Sequence, residues 1–330
     1  MKNRTCVLIG LLILAFAVSG CVSPRVGFLG GETVPLKEYT LQGTSREKVL
    51  VIPVEGFISD ERQERFLRSE PSMVQEIVSQ LRKAQNDRHL KAVVLKIDSP
   101  GGTVTASDVL YHEISVFKER TGATLVVSMM NVAASGGYYI SLPADYIVAH
   151  PTTITGSVGV IFVQPKFYAL MEKTGVDVDV SKSGDKKDMG SPFREASEEE
   201  KHIMQNLTDS LGKRFVDLVS TNREVTAAQL ADISSARIYL ADEALRLGLI
   251  DEVGYIEDAL EEAKQRAKLP SSAKVVVYRR VKYPDDNLYN TATSDMMGRT
   301  SPVVSIDLPV SPADLQPGFY YLWLPQQGGG

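Results

Sequence analysis

Ala133-Ala134-Ser135-Gly136-Gly137-Tyr138-Tyr139 follows the apolar run Leu125-Val126-Val127, and the reading of this stretch decides the fold. A serine and two glycines at the end of such a run describe a strand that turns sharply into a helix. The turn exposes the hydroxyl and points unpaired backbone N–H groups at whatever the hydroxyl attacks. A second glycine pair, in Ser99-Pro100-Gly101-Gly102, ends the buried-looking strand at 92–97 and can supply another donor. One such turn alone is an ordinary strand-to-helix connection. Two of them, with a lysine-bearing segment around Lys187 downstream, look like the two halves of an oxyanion hole beside a serine.

Outward from this stretch the pattern alternates. Strands are expected at 49–54, 92–97, 125–129, 146–149, 158–162 and 273–278, from their short apolar runs. Helices are expected between them. Met73, Ile77, Leu81 and Ala84 recur at helical spacing, 104–120 reads as a helix, and 135–142 reads as one stopped near Pro143. A long helix from Glu198 to about Ser220 opens with Ser197 and Glu200, the spacing of a capping box. A short helix at 241–247 stops at Gly248. Strands alternating with helices argue for an α/β core with a parallel sheet and right-handed crossovers.

The N-terminus reads as an export signal. Lys2 and Arg4 precede the apolar residues 7–18, and small residues lead to Cys21. Those 12 residues are short of the about 20 that a spanning helix needs. Val18-Ser19-Gly20-Cys21 resembles a lipobox, so Cys21 is the expected lipid attachment and first mature residue. Val22 is not the aspartate that retains lipoproteins at an inner membrane. The expected location is outside the cytoplasm, on a bacterial membrane, on the periplasmic side if there are two. Residues 1–20 are then the signal and 21–47 a polar tether. Residues 48–280 are the domain, and 281–330 an extension. The extension is rich in Asp, Asn, Ser, Thr and Pro, but 317–324 is apolar and aromatic. Exposed, it would be an aggregation hazard, so it is expected to dock as a strand on this subunit or a neighbour.

Composition excludes several classes. At 330 residues, 43% hydrophobic and 23% charged, the chain can bury a full core. A net charge of −5 shows no nucleic-acid footprint. The only cysteines, Cys6 and Cys21, leave the body without a disulfide or thiolate site, and the four histidines lack ligand spacing, so no metal or cofactor is expected. A serine hydroxyl needs a base. His150 sits at a strand exit before Pro151 with no carboxylate partner evident, which suits a surface residue. A lysine serves only when neutral, about 2–3 pH units below its usual 10.4. Lys182, Lys186 and Lys187 crowd three ammonium groups together, while Asp185 and Asp188 would oppose the effect if they faced Lys187.

The strings SPGG, AASGGYYI, TGSVGVI and SGDKKDMGSP, followed by RIYLADEALRLGLIDEVG, resemble the bacterial signal peptide peptidase A family of serine–lysine peptidases. The match runs from about Val49 to Tyr278. The resemblance implies a Clp-protease/crotonase-like core and an acyl-enzyme endopeptidase acting on signal peptides left in membranes. It puts the nucleophile on Ser135, the general base on Lys187 and the lysine-orienting serine on Ser157. Backbone N–H groups of Gly101, Gly102 and Gly136 become the oxyanion hole. It also implies a homo-oligomer, with an octamer expected, whose sites combine neighbouring subunits. Two other classes compete. A crotonase-like acyl-CoA enzyme shares the glycine turns but does not suit an export signal. A non-catalytic lipoprotein scaffold does not need Ser135 and Lys187. A Clp-like Ser-His-Asp peptidase would need a histidine near Ser157, where there is none.

Overall fold

The computed structural model describes residues 34–65, 68–283, 285–290 and 317–323. The export signal, Cys21 and Leu324 lie outside the described residues. The strands are β1 (Lys37–Gln42), β2 (Lys48–Glu55), β3 (Gln63–Arg65), β4 (Arg68–Glu70), β5 (Leu90–Ser99), β6 (Gly101–Thr103) and β7 (Thr124–Ala134). They continue with β8 (Tyr146–Ala149), β9 (Ile154–Gly156), β10 (Ile161–Val163), β11 (Ile238–Leu240), β12 (Glu252–Val253), β13 (Lys274–Arg279) and β14 (Gly318–Leu322). The helices are α1 (Met73–Gln85), α2 (Val104–Thr121), α3 (Gly136–Tyr139) and α4 (Tyr168–Thr174). After them come α5 (Glu198–Asn222), α6 (Ala227–Ile233), α7 (Ala241–Arg246) and α8 (Ile256–Arg266).

A nine-stranded sheet runs in the order β1-β13-β2-β5-β7-β8-β12, with β9 beside β7 and β11 beside β9. All its pairs are parallel except β1 with β13 and β9 with β11. Alternate side chains leave opposite faces of each strand, and both faces are covered, which is why the strands read as unbroken apolar runs. Leu50, Ile52, Leu95 and Val127 join the core that includes Ile77 and Leu81 of α1 and Leu110 and Ile114 of α2. Val49, Val51, Val94 and Val126 pack with Ala259, Leu260 and Ala263 of α8 on the other face. The Ser72, Thr103 and Ser197 side chains cap α1, α2 and α5, and the Ser197–Glu200 capping box is present.

β7 positions the site. Its first half pairs with β8, Val126 opposite Tyr146 through Met129 opposite Ala149. Its second half pairs with β9, Val132 opposite Ile154 through Ala134 opposite Gly156. Ser135 and Ser157 therefore leave neighbouring strands at the same level. A second, three-stranded antiparallel sheet has the order β10-β14-β6. β3 and β4 form a hairpin within a separate compact unit.

Three expectations change. The strand expected at 158–162 is interrupted, because Ser157 takes a positive φ of 53° and the pairing resumes only at Ile161. The helix expected at 135–142 is regular only over Gly136–Tyr139 and continues as tight turns to Leu142. Lys37–Gln42, read as tether, is a strand paired antiparallel to β13, its Tyr39 and Leu41 packed on the α8-side core. The apolar end of the extension docks on this chain as β14.

Leu95 is fully buried at the centre of β5, between β2 and β7. Leu95→Ala is expected to cost about 2–5 kcal/mol in urea unfolding, from lost transfer energy and the cavity left behind. Leu245→Ala, at a side chain 40% exposed, serves as the control and is expected to change little. Equal effects would contradict this placement of the core.

Candidate active site

Ser135 joins β7 to α3 with φ 53° and ψ −116°, a conformation that costs a non-glycine residue free energy. The surroundings hold it there. Its N–H donates to the Gly156 carbonyl at 2.8 Å, and its own carbonyl accepts from Tyr139 N at 2.8 Å. The residue is 1% exposed, and its Oγ has no hydrogen-bond partner among the described residues. A buried hydroxyl without a partner is costly to keep, so it marks a site rather than a filler.

The two glycine pairs pack backbone against backbone. A Cβ on Gly136 would lie 2.5 Å from Ser107 Oγ and 3.1 Å from Gly101 Cα. One on Gly137 would lie 2.6 Å from the Ser99 carbonyl oxygen. Gly101, at φ 105°, would put its Cβ 2.7 Å from Gly136 N. The donors in this corner differ. Gly101 N–H is committed to Ser99 Oγ at 3.1 Å. The Gly101 carbonyl and Thr103 N–H bond to Ile58 on one side. Gly102 between them turns its peptide groups to the opposite edge. Of the three glycines read as donors, Gly102 and Gly136 therefore direct N–H groups toward this corner, where Gly102 is paired with Tyr321 of β14, while Gly101 supplies conformation and room.

Ser157 follows Gly156, whose carbonyl holds Ser135, and its own N–H donates to the Arg237 carbonyl at 2.9 Å. The structure thus brings Ser135, Ser157 and the glycine turns to one end of the sheet. His150 is engaged elsewhere, with Nδ1 2.8 Å from Thr152 Oγ1 and its ring edge-on to Tyr255.

Lys187 makes no hydrogen bond to Ser135 within this chain. It is exposed and makes no ion pair among the described residues, whereas Lys186 pairs with Glu199 and Lys182 with Asp188. The loop carrying it is nevertheless fixed. Lys187 N–H donates to the Gly184 carbonyl and Met189 N–H to that of Lys186, both at 3.0 Å. Arg194 clasps the loop to the start of α5: its Nε and Nη2 reach Asp188 at 2.8 and 2.9 Å, and Nη1 reaches Glu200 at 2.8 Å. Asp188 thereby faces Arg194 and Lys182. Hydrogen bonds from Arg194 hold the Asp188 carboxyl well below its usual range and pull that of Glu200 down to about 2. The capping-box spacing announced Glu200, but nothing local announced that Arg194 joins it to Asp188. A cavity of about 530 Å³, lined by Ile161, Gln164, Met189 and Met204, lies beside this loop. The larger one, about 870 Å³ around Tyr111, Lys118 and Arg266, includes none of these residues.

Residues 118–270 match peptidase family S49, and residues 66–157 match the Clp protease family. The chain is 37% identical over 245 residues to an Enterococcus faecium protein bearing the signal peptide peptidase SppA name, covering 74% of this chain and 71% of that protein. It is 32% identical over 278 residues to a Methanocaldococcus jannaschii protein named as a protease, covering 84% and 87%. Among solved structures, a ClpP1 mutant from Listeria monocytogenes aligns over 65% of this chain and 95% of its own, with 19% identity and a TM-score of 0.41.

The clasp has a pH dependence of fixed sign. Carboxyls whose folded pKa lies below the unfolded value contribute stability that is complete above the unfolded value, about 4, and lost as pH falls through the folded one. Hydrogen exchange over 182–200 is therefore expected to accelerate, relative to the β5–β7 core, between about pH 4 and pH 2. Arg194→Ala is expected to show that faster exchange already at pH 7. Unchanged exchange in Arg194→Ala would show that the clasp does not hold the loop.

Proposed function

The chain belongs to peptidase family S49 and is a serine peptidase; from that membership we propose that Ser135 is its nucleophile and Lys187 of a neighbouring subunit its general base. The observation that carries the reading is Ser135 Oγ, buried and without a partner in a strained turn between two glycine-opened donors. What supports a shared site is that, among the described residues, Ser135 Oγ has no hydrogen-bond partner and Lys187 makes no ion pair. Exposed apolar side chains flank the lysine loop, among them Phe167, Leu170, Val176, Val178, Val180 and Phe193. A second copy covering them would also desolvate Lys187, which favours its neutral form.

In this reading neutral Lys187 takes the proton of Ser135 Oγ as the oxygen attacks the peptide carbonyl carbon. The carbonyl oxygen becomes an oxyanion facing Gly102 N–H and Gly136 N–H. Collapse breaks the C–N bond, and the Lys187 ammonium returns the proton to the leaving amine. The acyl group is now an ester on Ser135. Lys187 next accepts a proton from water, the hydroxide oxygen attacks the ester, and the acid departs as Ser135 regains a proton. Ser157, held by Arg237, orients the lysine.

The substrates we propose are apolar peptides taken as extended strands, with remnant signal peptides the class suggested by the name of the Enterococcus relative. Lipid on Cys21 would hold the body at a bacterial membrane outside the cytoplasm. No helix among the described residues is long and apolar enough to cross a membrane.

Ser135→Ala and Lys187→Ala are each expected to lower peptide hydrolysis at least about a thousandfold with the fold retained. Lys186→Ala, which loses only an exposed pair with Glu199, should keep most activity. Unfolded together and reassembled, the two inactive variants should regain activity, since random neighbours complete about one site in four. No recovery from a properly assembled mixture would put the base in the same subunit as the serine.

A further inference from the structure

Just before it reaches the serine, β7 carries two residues more than its neighbour β5. Ile97 lies opposite Met129 and Ser99 opposite Ala133, so Asp98 alone faces the three residues 130–132. Carried on to the strand ends, the second register sets Ser135 level with Gly101. The backbones do meet there, since a Gly101 Cβ would lie 2.7 Å from Gly136 N. In the first register Ala133 would stand at that level instead. Ser135 would then overshoot the glycine corner by two residues of extended chain, about 6–7 Å. The bulge therefore decides whether the serine arrives beside its donors.

A bulge leaves backbone groups of the longer strand without ladder partners. Side chains supply them here. Val132 N–H donates to Asp98 Oδ1 at 3.0 Å. The Thr153 hydroxyl is shared between the Met129 and Met130 carbonyls, and the Thr155 hydroxyl donates to the Ala133 carbonyl at 2.6 Å. Both threonines are fully buried, at the place where the pairing of β7 passes from β8 to β9. Of these three supports, Asp98 alone comes from β5, the strand that leads into Gly101-Gly102. It is well anchored. Its carbonyl accepts from Gly56 N–H at 2.9 Å, and the next residue, Ser99, donates its hydroxyl to the Gly56 carbonyl at 2.6 Å. Burial pushes the Asp98 carboxyl above its usual range, against the Val132 N–H and the Lys96 ammonium, which draw it back.

We propose that Asp98 is a positioning residue for the peptidase reaction: by holding Val132 it fixes the bulge that brings Ser135 level with the glycine corner. It acts through the β7 backbone and makes no bond to Ser135 Oγ. The bond from Asp98 to Val132 ties together the two segments that must meet, one three residues before Gly101 and the other three residues before Ser135. What the role requires is an acceptor oxygen at this place, not a negative charge. The proposal rests on the reading of Ser135 as the nucleophile.

The test uses the full-length chain and four readouts: kcat, KM, the rate at which a serine-directed fluorophosphonate labels Ser135, and hydrogen exchange at Val132 N–H. Asp98→Ala is expected to accelerate that exchange and to lower kcat and the labelling rate together by about tenfold to a hundredfold. That is the cost of a reacting atom displaced by about 1 Å, and KM should stay within about threefold. Asp98→Asn keeps an acceptor oxygen in place without the charge, and should stay within about fivefold of the unsubstituted chain in kcat and labelling. Asp98→Glu keeps the charge but carries it one methylene further out, and should be slower than Asp98→Asn in both. The Asn and Glu variants decide the matter if Asp98→Ala does not fold. Activity in Asp98→Glu above that of Asp98→Asn would overturn this inference alone, as would a loss confined to KM or unchanged kcat and labelling in Asp98→Ala. Label found on a residue other than Ser135 in the unsubstituted chain would instead overturn the reading of Ser135, and this inference with it.

Discussion

Everything at this end of the molecule depends on two backbone segments approaching closer than any side chain permits. Gly101-Gly102 and Gly136-Gly137 come from turns after β5 and β7, parallel neighbours in one sheet. Parallel strands end on the same side of a sheet, so the two turns are brought together by topology. The missing Cβ atoms then let Gly101 Cα and Gly136 meet, with Ser99 and Ser107 closing the gaps. The strain at Ser135 is held by the same arrangement, since Gly156 of β9 fixes its N–H. An alanine at either glycine pair would separate the turns, and the serine would lose its donors along with its conformation.

The lysine side is built on a different principle. Its segment has little regular structure and few buried side chains, and ionic hydrogen bonds hold its shape. Arg194 bridges a loop carboxylate and a helix-capping carboxylate, so it ties the lysine loop to the start of α5. Bonds of this kind are short and directional.

How much of this was legible follows from the range of each interaction. The central strands and the long helix were readable because burial on both faces and a capping box leave local signatures, as in Val49–Val54 and Ser197–Glu200. The serine turn was readable because glycine pairs have few other uses after an apolar strand. β1 was not, since only Tyr39 and Leu41 touch the core and the intervening residues are polar. The break at Ser157 was not, because its positive φ is imposed by Gly156 and Arg237 from outside the residue. The bridge from Asp188 through Arg194 to Glu200 depends on side-chain directions that spacing does not reveal. Whether Lys187 bonds to Ser135 within one chain depends on three-dimensional placement, which residue order alone does not carry.

The short strands β6 and β10 explain why the extension ends as it does. A groove able to take an extended apolar peptide must present unpaired strand edges and apolar pockets, and those are the features that let proteins aggregate. β14 meets both requirements at once. Its backbone satisfies the two edges, and Tyr320, Tyr321 and Leu322 fill the cavities on either side. The aromatic run at the end of the extension and the groove beside Ser135 are therefore one solution. Each would be a liability when exposed, and each is covered by the other.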